Sequence, residues 1–312
     1  MLNYLQISII IVNWNTRDIL RDCLASIYEQ IHGIESEVIV IDNASSDGSV
    51  QMVKTEFPQV VLIENTENRG FAAANNQGMR IAKGRYLLLL NSDTVVLDRA
   101  IQKTIAFADQ HPQAAVVGCK VLNPDHSLQP SCFMFPSLLN LFLSATYLYK
   151  IFPKSRFFGR ERMTWWQRDD VRQVDVVTGC FMLVRREAID QIGLMDEDFF
   201  MYAEETDWCY RFKQAGWQNL FYPDAQIIHL GGQSSKQVKV EMTIQLRRAI
   251  LQFIKKNYGK VHFYLGRLLI IMFFLIRIPF WLIVALVPRQ RPRALDMAKA
   301  YCQGSRSILA GK

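Results

Sequence analysis

The carboxylates placed to do chemistry stand just past apolar runs: Asp42 and Asp47 in DNASSDG, Asp93 in NSD, and Glu204, Glu205 and Asp207 in YAEETD. Acids in such positions can hold a hard divalent cation beside phosphate oxygens, or take a proton from a hydroxyl. His229, in IIHLGG, adds an imidazole able to ligate a metal or move a proton. Each residue also fits a plain structural role. Asp42 and Asp47 can cap the helix that follows, and Asp93 can be a turn residue. Three acids at a helix start suit the macrodipole. A histidine on an apolar strand is commonly a hydrogen-bonded core residue.

The elements around these residues decide whether they can meet. Ile7–Val12, Val38–Ile41, Val60–Ile63 and Tyr86–Leu90 read as short strands, apolar on both faces. Between them lie helical patterns: one through Leu20, Leu24, Ile27 and Tyr28 with Thr16 as its N-cap, one stopped by Pro58, and one over Phe71–Lys83 closed by Gly84. Strands of this kind separated by helices imply an α/β fold with a mostly parallel sheet covered on both sides. Ligands bind such sheets at the carboxyl ends of the strands. The clusters Asn13-Trp14-Asn15, Asp42–Asp47 and Asn91-Ser92-Asp93 all follow strands, so they are expected on one rim. Farther on, Val176–Val184 reads as a strand, Glu204–Ala215 as a helix with Gly216 past its end, and Ile227–His229 as a last short strand.

Taken together and in order, IIIVNWN, VIVIDNASSDGS, NRGFAAANNQG, YLLLLNSDT, VVTGCFMLVRREAIDQIGLMDEDFFMYAEETDWCYRFKQAGW and IIHLGGQSS resemble the inverting family-2 glycosyltransferases of the GT-A fold, especially the bacterial branch that includes rhamnosyltransferases. The resemblance covers roughly residues 5–235. It implies a Rossmann-like catalytic domain over residues 1–235 that binds a nucleotide-sugar donor. By that resemblance Asp42 hydrogen-bonds the base, Trp14 stacks on it, and Asn15 holds the turn nearby. Arg69 and Gly70, at a helix start, lie by the ribose and diphosphate, where a guanidinium and a helix N-terminus favour anionic oxygens. Asp93 matches the second acid of the family's DxD motif and binds Mg²⁺ or Mn²⁺, with His229 completing the metal shell. Asn91 stands where the motif has its first acid, so it is assigned a sugar or ribose contact. Gly179 lies against the donor sugar. Glu205, second acid of the pair with Glu204, is the catalytic base, Glu204 supports it, and Asp207 is the rival base. Gln245-Leu246-Arg247-Arg248-Ala249 lacks the Trp of the processive synthases' QxxRW motif, which implies addition of one sugar per acceptor.

Half of the residues are hydrophobic and the formal net charge is +7, which excludes a disordered chain. The basic excess is local. From Gly232 to Lys260 seven Lys/Arg face one acid, and from Arg289 to Lys312 six face one acid, with the apolar Val261–Val287 between them. Basic flanks around an apolar segment point to an anionic membrane surface rather than nucleic acid. Residues 236–312 are therefore expected to be a basic, hydrophobic, helical membrane-associating region. Arg267, Arg277 and Pro279 interrupt the apolar run, which favours a helix-break-helix in the interface over a single span. A buried helical pair is the bland alternative. A membrane seat suggests a lipid-linked glycan acceptor, partly covered by the aromatic and basic residues 133–166. A polyprenyl-phosphate-directed transferase and an inactive nucleotide-sugar-binding module remain as other readings. The start MLNYLQISIIIVNWN has no basic n-region or cleavage site, so the catalytic part is expected on the cytoplasmic face of the cell membrane. The six scattered cysteines read as small buried hydrophobes in a reducing compartment. The sequence does not set the oligomeric state.

Overall fold

The computed structural model describes residues 5–231 and 239–310. The chain divides into two units: Met1–Met134 with Trp166–Lys236, and Phe135–Trp165 with Gln237–Lys312. The second unit thus takes a segment out of the middle of the first, which the boundary expected at 235/236 does not foresee.

The first unit is built on one sheet. β1 (Leu5–Asn13), β2 (Ser36–Asp42), β3 (Val61–Glu64) and β4 (Gly84–Asn91) are its parallel half, in the order β3-β2-β1-β4. Helices α1 (Arg17–Gln30), α2 (Ser49–Glu56) and α3 (Phe71–Ile81) connect them. Alternation of side chains along β1 explains the two covered faces. Ile7, Ile9 and Ile11 join Leu20, Leu24 and Ile27 of α1 in the core. Ile10 points the other way, to α3, where Gly78 leaves room: a Cβ there would stand 2.7 Å from Ile10 and 2.9 Å from Ile41. β3 is an edge strand and half exposed, not buried on both faces as expected.

The other half of the sheet is mixed. β5 (Thr94–Leu97) precedes α4 (Ala100–Gln110) and β6 (Ala114–Leu122), and the short β7 (Leu128–Gln129) pairs back on β6. β8 (Cys132–Phe133) forms a separate ribbon with β10 (Val176–Val177), while β9 (Arg172–Gln173) pairs with β12 (Gln218–His229). The strand expected over Val176–Val184 is two elements, β10 and β11 (Phe181–Arg185), parted by a turn at Thr178-Gly179-Cys180. β11 runs antiparallel to β4 and β6, so its first residue pairs with Leu90, near the end of β4. α7 (Arg186–Ile192) and α8 (Glu204–Gln214) precede β12, which is antiparallel to β5 with His229 opposite Thr94. The register therefore gathers the expected rim: Asn13 pairs with Asp42, Val12 with Asn91, and Asn91 donates its N–H to the Cys180 carbonyl.

The second unit contains α5 (Leu138–Ala145), α6 (Leu148–Ile151), α9 (Lys239–Val284) and α10 (Arg291–Ala310). α9 breaks once, at Gly259 with φ 85°, and then continues through Pro279 to Val284. The helix-break-helix expected from Arg267, Arg277 and Pro279 thus has its break at Gly259 instead, and Arg277 is not a stray charge. It is buried, and donates to the carbonyls of Ser144 and Ala145 at 3.1 Å, and of Phe273 at 2.6 Å. These are the orphan carbonyls at the end of α5, where a cation also suits the helix dipole. The same guanidinium lies 3.5 Å from the ring centre of Phe273, and Arg247 covers that ring at 3.9 Å. α10 returns along α9: Gly304 fits against Phe274, Arg248 donates to Ser307, and Arg267 donates to the Ile308 carbonyl.

Candidate functional site

All the residues singled out above for chemistry lie in the first unit, at or beside the carboxyl ends of its strands. Asp42 ends β2 and is buried. Its Oδ1 accepts from Asn13 Nδ2 at 2.9 Å and its Oδ2 accepts from Ser45 N–H at 2.8 Å. Asn13 is oriented in turn by the Thr16 hydroxyl, which donates to its Oδ1 at 2.6 Å. Thr16 therefore braces Asn13 instead of capping α1 with its side chain. The cap comes from across the rim. Asp47 accepts from the N–H of Arg17 at 2.7 Å, and also from the N–H of Ser49, so one carboxylate serves the starts of both α1 and α2. Asn15, in the left-handed region at φ 52°, accepts from the Ser46 N–H, which ties the two turns together. Between them Trp14 remains 37% exposed.

Gly70 begins α3 at φ 80°, ψ 178°, a conformation essentially confined to glycine. A Cβ there would stand 2.3 Å from the carbonyl oxygen of Phe200, which accepts the Phe71 N–H. The neighbouring Arg69 is exposed. Gly179 packs against the same helix start, with the Phe71 ring 3.1 Å from where a Cβ would be. The Thr178-Gly179-Cys180 turn and the Arg69-Gly70 turn are thus held side by side.

Asp93, Asn91 and His229 converge. His229 Nε2 lies 3.1 Å from Asp93 Oδ1 and 3.2 Å from Asn91 Nδ2, while its Nδ1 is 2.6 Å from Gln129 Oε1. An amide oxygen only accepts, so the hydrogen is assigned to Nδ1 and Nε2 offers a lone pair. Two acceptors, this lone pair and a carboxylate oxygen, then face each other, an arrangement that a cation between them would satisfy. Adjacent ligands of an octahedral ion with bonds of about 2.1 Å are about 3 Å apart, so the spacing fits Mg²⁺ or Mn²⁺. Among the described residues no third His, Cys, Asp or Glu completes a metal cluster. The remaining positions would fall to phosphate oxygens and water. Asn91, expected to contact the sugar or ribose, is within hydrogen-bond distance of His229.

The acids of α8 differ sharply in their surroundings. Tyr202 and Ala203 both have left-handed backbones, φ 69° and 65°, just before Glu204, a strain typical of functional sites. Glu204 is buried, and burial with the adjacent Glu205 charge holds its carboxyl well above the usual range. Burial raises Glu205 to about 7. One oxygen of each, Oε2, is buried without a hydrogen-bond partner. Asp207, the rival, is committed elsewhere: it accepts from Arg211 Nε at 2.9 Å, and Arg211 also donates to the carbonyls of Ile192 and Leu194. Burial pushes the thiol of Cys180, in the neighbouring turn, up to about 11.

Two residues at this rim were given no role of their own from sequence. Asn13, expected on the rim only as part of its cluster, is the direct side-chain partner of Asp42. Its signal was present, since it ends a buried strand beside the selected Trp14. Gln129 sits in a short edge strand after an Asn-Pro-Asp turn, with nothing in its local pattern to mark it.

Comparison with known proteins bears on the family and the fold. The model of the family described as "Glycosyl transferase family 2" matches residues 8–193. An N-acetylglucosaminyl-diphospho-decaprenol L-rhamnosyltransferase of Mycobacterium tuberculosis is 29% identical over 203 residues, 62% of this chain and 66% of that protein, so the match spans just under two thirds of the relative. A low-salt glycan biosynthesis hexosyltransferase of Haloferax volcanii is 25% identical over 77% of this chain and 71% of its own. A solved mannosyltransferase from Pyrobaculum calidifontis, in complex with GDP-Man and Mn²⁺, superposes with a TM-score of 0.62 at 16% identity, covering 100% of this chain and 89% of that one. That likeness bears on the fold.

Proposed function

From the premise that the chain belongs to glycosyl transferase family 2, we propose that it moves one sugar, with inversion, from a nucleoside-diphosphate sugar to a hydroxyl of a lipid-linked glycan. The carrying observation is the contrast among the rim carboxylates. Asp42 is held in place by one hydrogen bond to each oxygen, from Asn13 and Ser45, Asp93 faces an imidazole lone pair, and Glu205 keeps a buried oxygen without a partner.

In this reading Asp42 and Trp14 receive the base, and Arg69 and the start of α3 receive the ribose and diphosphate. Asp93 and His229 hold a divalent cation, which supplies positive charge to the departing diphosphate. The nitrogen donor beside a single carboxylate favours Mn²⁺ over the harder Mg²⁺. Glu205 accepts the acceptor's hydroxyl proton as its oxygen bonds to the anomeric carbon and the bond to the diphosphate breaks. Glu204, kept neutral by burial, leaves Glu205 as the single ionising member of the pair. A polyprenyl phosphate acceptor would already be ionised and would need no base, so the raised Glu205 favours a hydroxyl. The rhamnosyltransferase likeness supports a polyprenyl-diphosphate-linked sugar as acceptor and a dTDP- or UDP-sugar, dTDP-rhamnose among them, as donor.

The second unit supplies the membrane seat. Val261, Leu265, Leu268, Leu275, Leu282 and Leu286 form an exposed apolar stripe at helical spacing on and just past α9. α10, folded back along α9, exposes Arg291, Arg293, Asp296, Lys299 and Arg306. A helix so charged does not accompany its partner through hydrocarbon, which favours a hairpin lying in an anionic interface at the cytoplasmic face.

The transfer is tested by release of nucleoside diphosphate from dTDP-rhamnose and a panel of UDP- and GDP-sugars, with a polyprenyl-diphosphate-linked N-acetylglucosamine, with and without Mn²⁺. Release that needs both acceptor and metal is expected. Donor binding without release from any pair, under either metal, would identify an inactive binding module.

A further inference from the structure

We propose that Gln129 is a positioning residue for the cation site, fixing the tautomer of His229 so that its Nε2 lone pair meets Asp93; this rests on the reading of His229 as a ligand. The argument runs through a chain of hydrogen bonds whose direction is set at its far end. Asp125 is exposed, and hydrogen bonds from Ser127 hold its carboxyl below the usual carboxylate range, so it is an obligate acceptor. The Ser127 hydroxyl donates to Asp125 Oδ1 at 2.5 Å and therefore accepts from Asn123 Nδ2 at 2.9 Å. That orients the Asn123 amide, whose Oδ1 accepts from Gln129 Nε2 at 2.8 Å. Gln129 Nε2 also donates to the His229 backbone carbonyl at 3.1 Å. Gln129 Oε1 is then the atom that meets His229 Nδ1, at 2.6 Å, and it can only accept.

The side chain of Gln129 thus grips His229 twice, at the ring and at the main chain, and every donor-acceptor choice along the chain is forced. A ring proton held on Nδ1 leaves Nε2 for the metal, and an outer partner of this kind is commonly worth about 10–100-fold in metal affinity. Asn91 Nδ2, a donor 3.2 Å from the same Nε2, fits an unprotonated nitrogen there, and a bound metal would take its place.

The test measures Mn²⁺ affinity of the full chain by the electron paramagnetic resonance of free Mn²⁺, in the presence of dTDP, for wild type, H229A and Q129L. His229→Ala and Gln129→Leu are each expected to weaken binding about 10-fold or more. If H229A binds Mn²⁺ as wild type does, the ligand reading fails, and the proposal with it. If H229A is weak but Q129L is not, the ligand reading stands and the role of Gln129 is overturned. A second measurement needs no metal and no leucine variant: the ¹⁵N shifts of the His229 ring in the metal-free wild type are expected to show hydrogen on Nδ1. Hydrogen on Nε2 overturns the proposal.

Discussion

At the scale of the residue, the chemistry turns on how differently neighbouring acids are treated. Glu205→Gln is expected to lower turnover by about 100-fold or more, because a positioned base is worth about 10²–10⁴-fold, while donor affinity holds. Asp207→Asn is expected to act through stability, since Asp207 is paired with Arg211. An activity of Glu205→Gln near wild type, with Asp207→Asn inactive but folded, would move the base to Asp207. The pH dependence follows from the same burial. Glu205 must be ionised to accept a proton, so kcat/KM is expected to rise with pH through about 7. Stability runs the opposite way. A carboxyl raised from about 4.3 unfolded to the folded value near 7 binds its proton more tightly in the native state, so its contribution is full below pH about 4.3 and is lost as pH rises through 7. Gln cannot ionise, so the variant should lose less stability than wild type between pH 5 and 8, read as the shift in Tm.

At the scale of the element, the site depends on turns that only particular backbones can make. Gly70→Ala places a Cβ on the Phe200 carbonyl in a glycine-only conformation, whereas Gly33, at φ 78°, has nothing within 4 Å. Gly33→Ala should therefore cost only the strain, about 1–3 kcal/mol, and Gly70→Ala more than that. Only Gly70→Ala should also weaken donor binding, by moving the start of α3; thermal melts and dTDP titration of both variants check this. The sequence made much of this level legible. Apolar runs gave β1, β2 and β4, and the polar residues after them fell on one rim. It missed the split between β10 and β11, because Thr178 and Gly179 interrupt Val176–Val184 only briefly, and the Phe71 ring packed beside Gly179 lies over a hundred residues away. Thr16 misled for a related reason: a threonine before a helix reads as a cap, but here a buried asparagine competes for its hydroxyl. Gln129 was invisible because His229, which it meets, stands a hundred residues farther along the chain.

At the scale of the whole molecule, transfer chemistry and the apolar surface are carried by separate units. Vesicle flotation should recover the protein with bilayers containing anionic lipid and less with neutral ones. Leu268→Glu combined with Leu275→Glu should abolish flotation while leaving the Tm and soluble-donor binding unchanged. Flotation that persists in the double variant would place the seat elsewhere. Because α10 folds back until Ser307 meets Arg248, reporters at both ends of this hairpin should label from the same side; opposite sides would require a span. The contact between Arg277 and the end of α5 has a practical consequence for anyone wishing to prepare the catalytic half alone. Stopping the chain before α9 would remove the cation that satisfies the Ser144 and Ala145 carbonyls, and would leave residues 135–165 without the helices they pack on. A single cut therefore yields a sticky product. A well-behaved soluble enzyme requires two excisions, the tail and the 135–165 excursion, with a short linker rejoining β8 to the chain at Trp166.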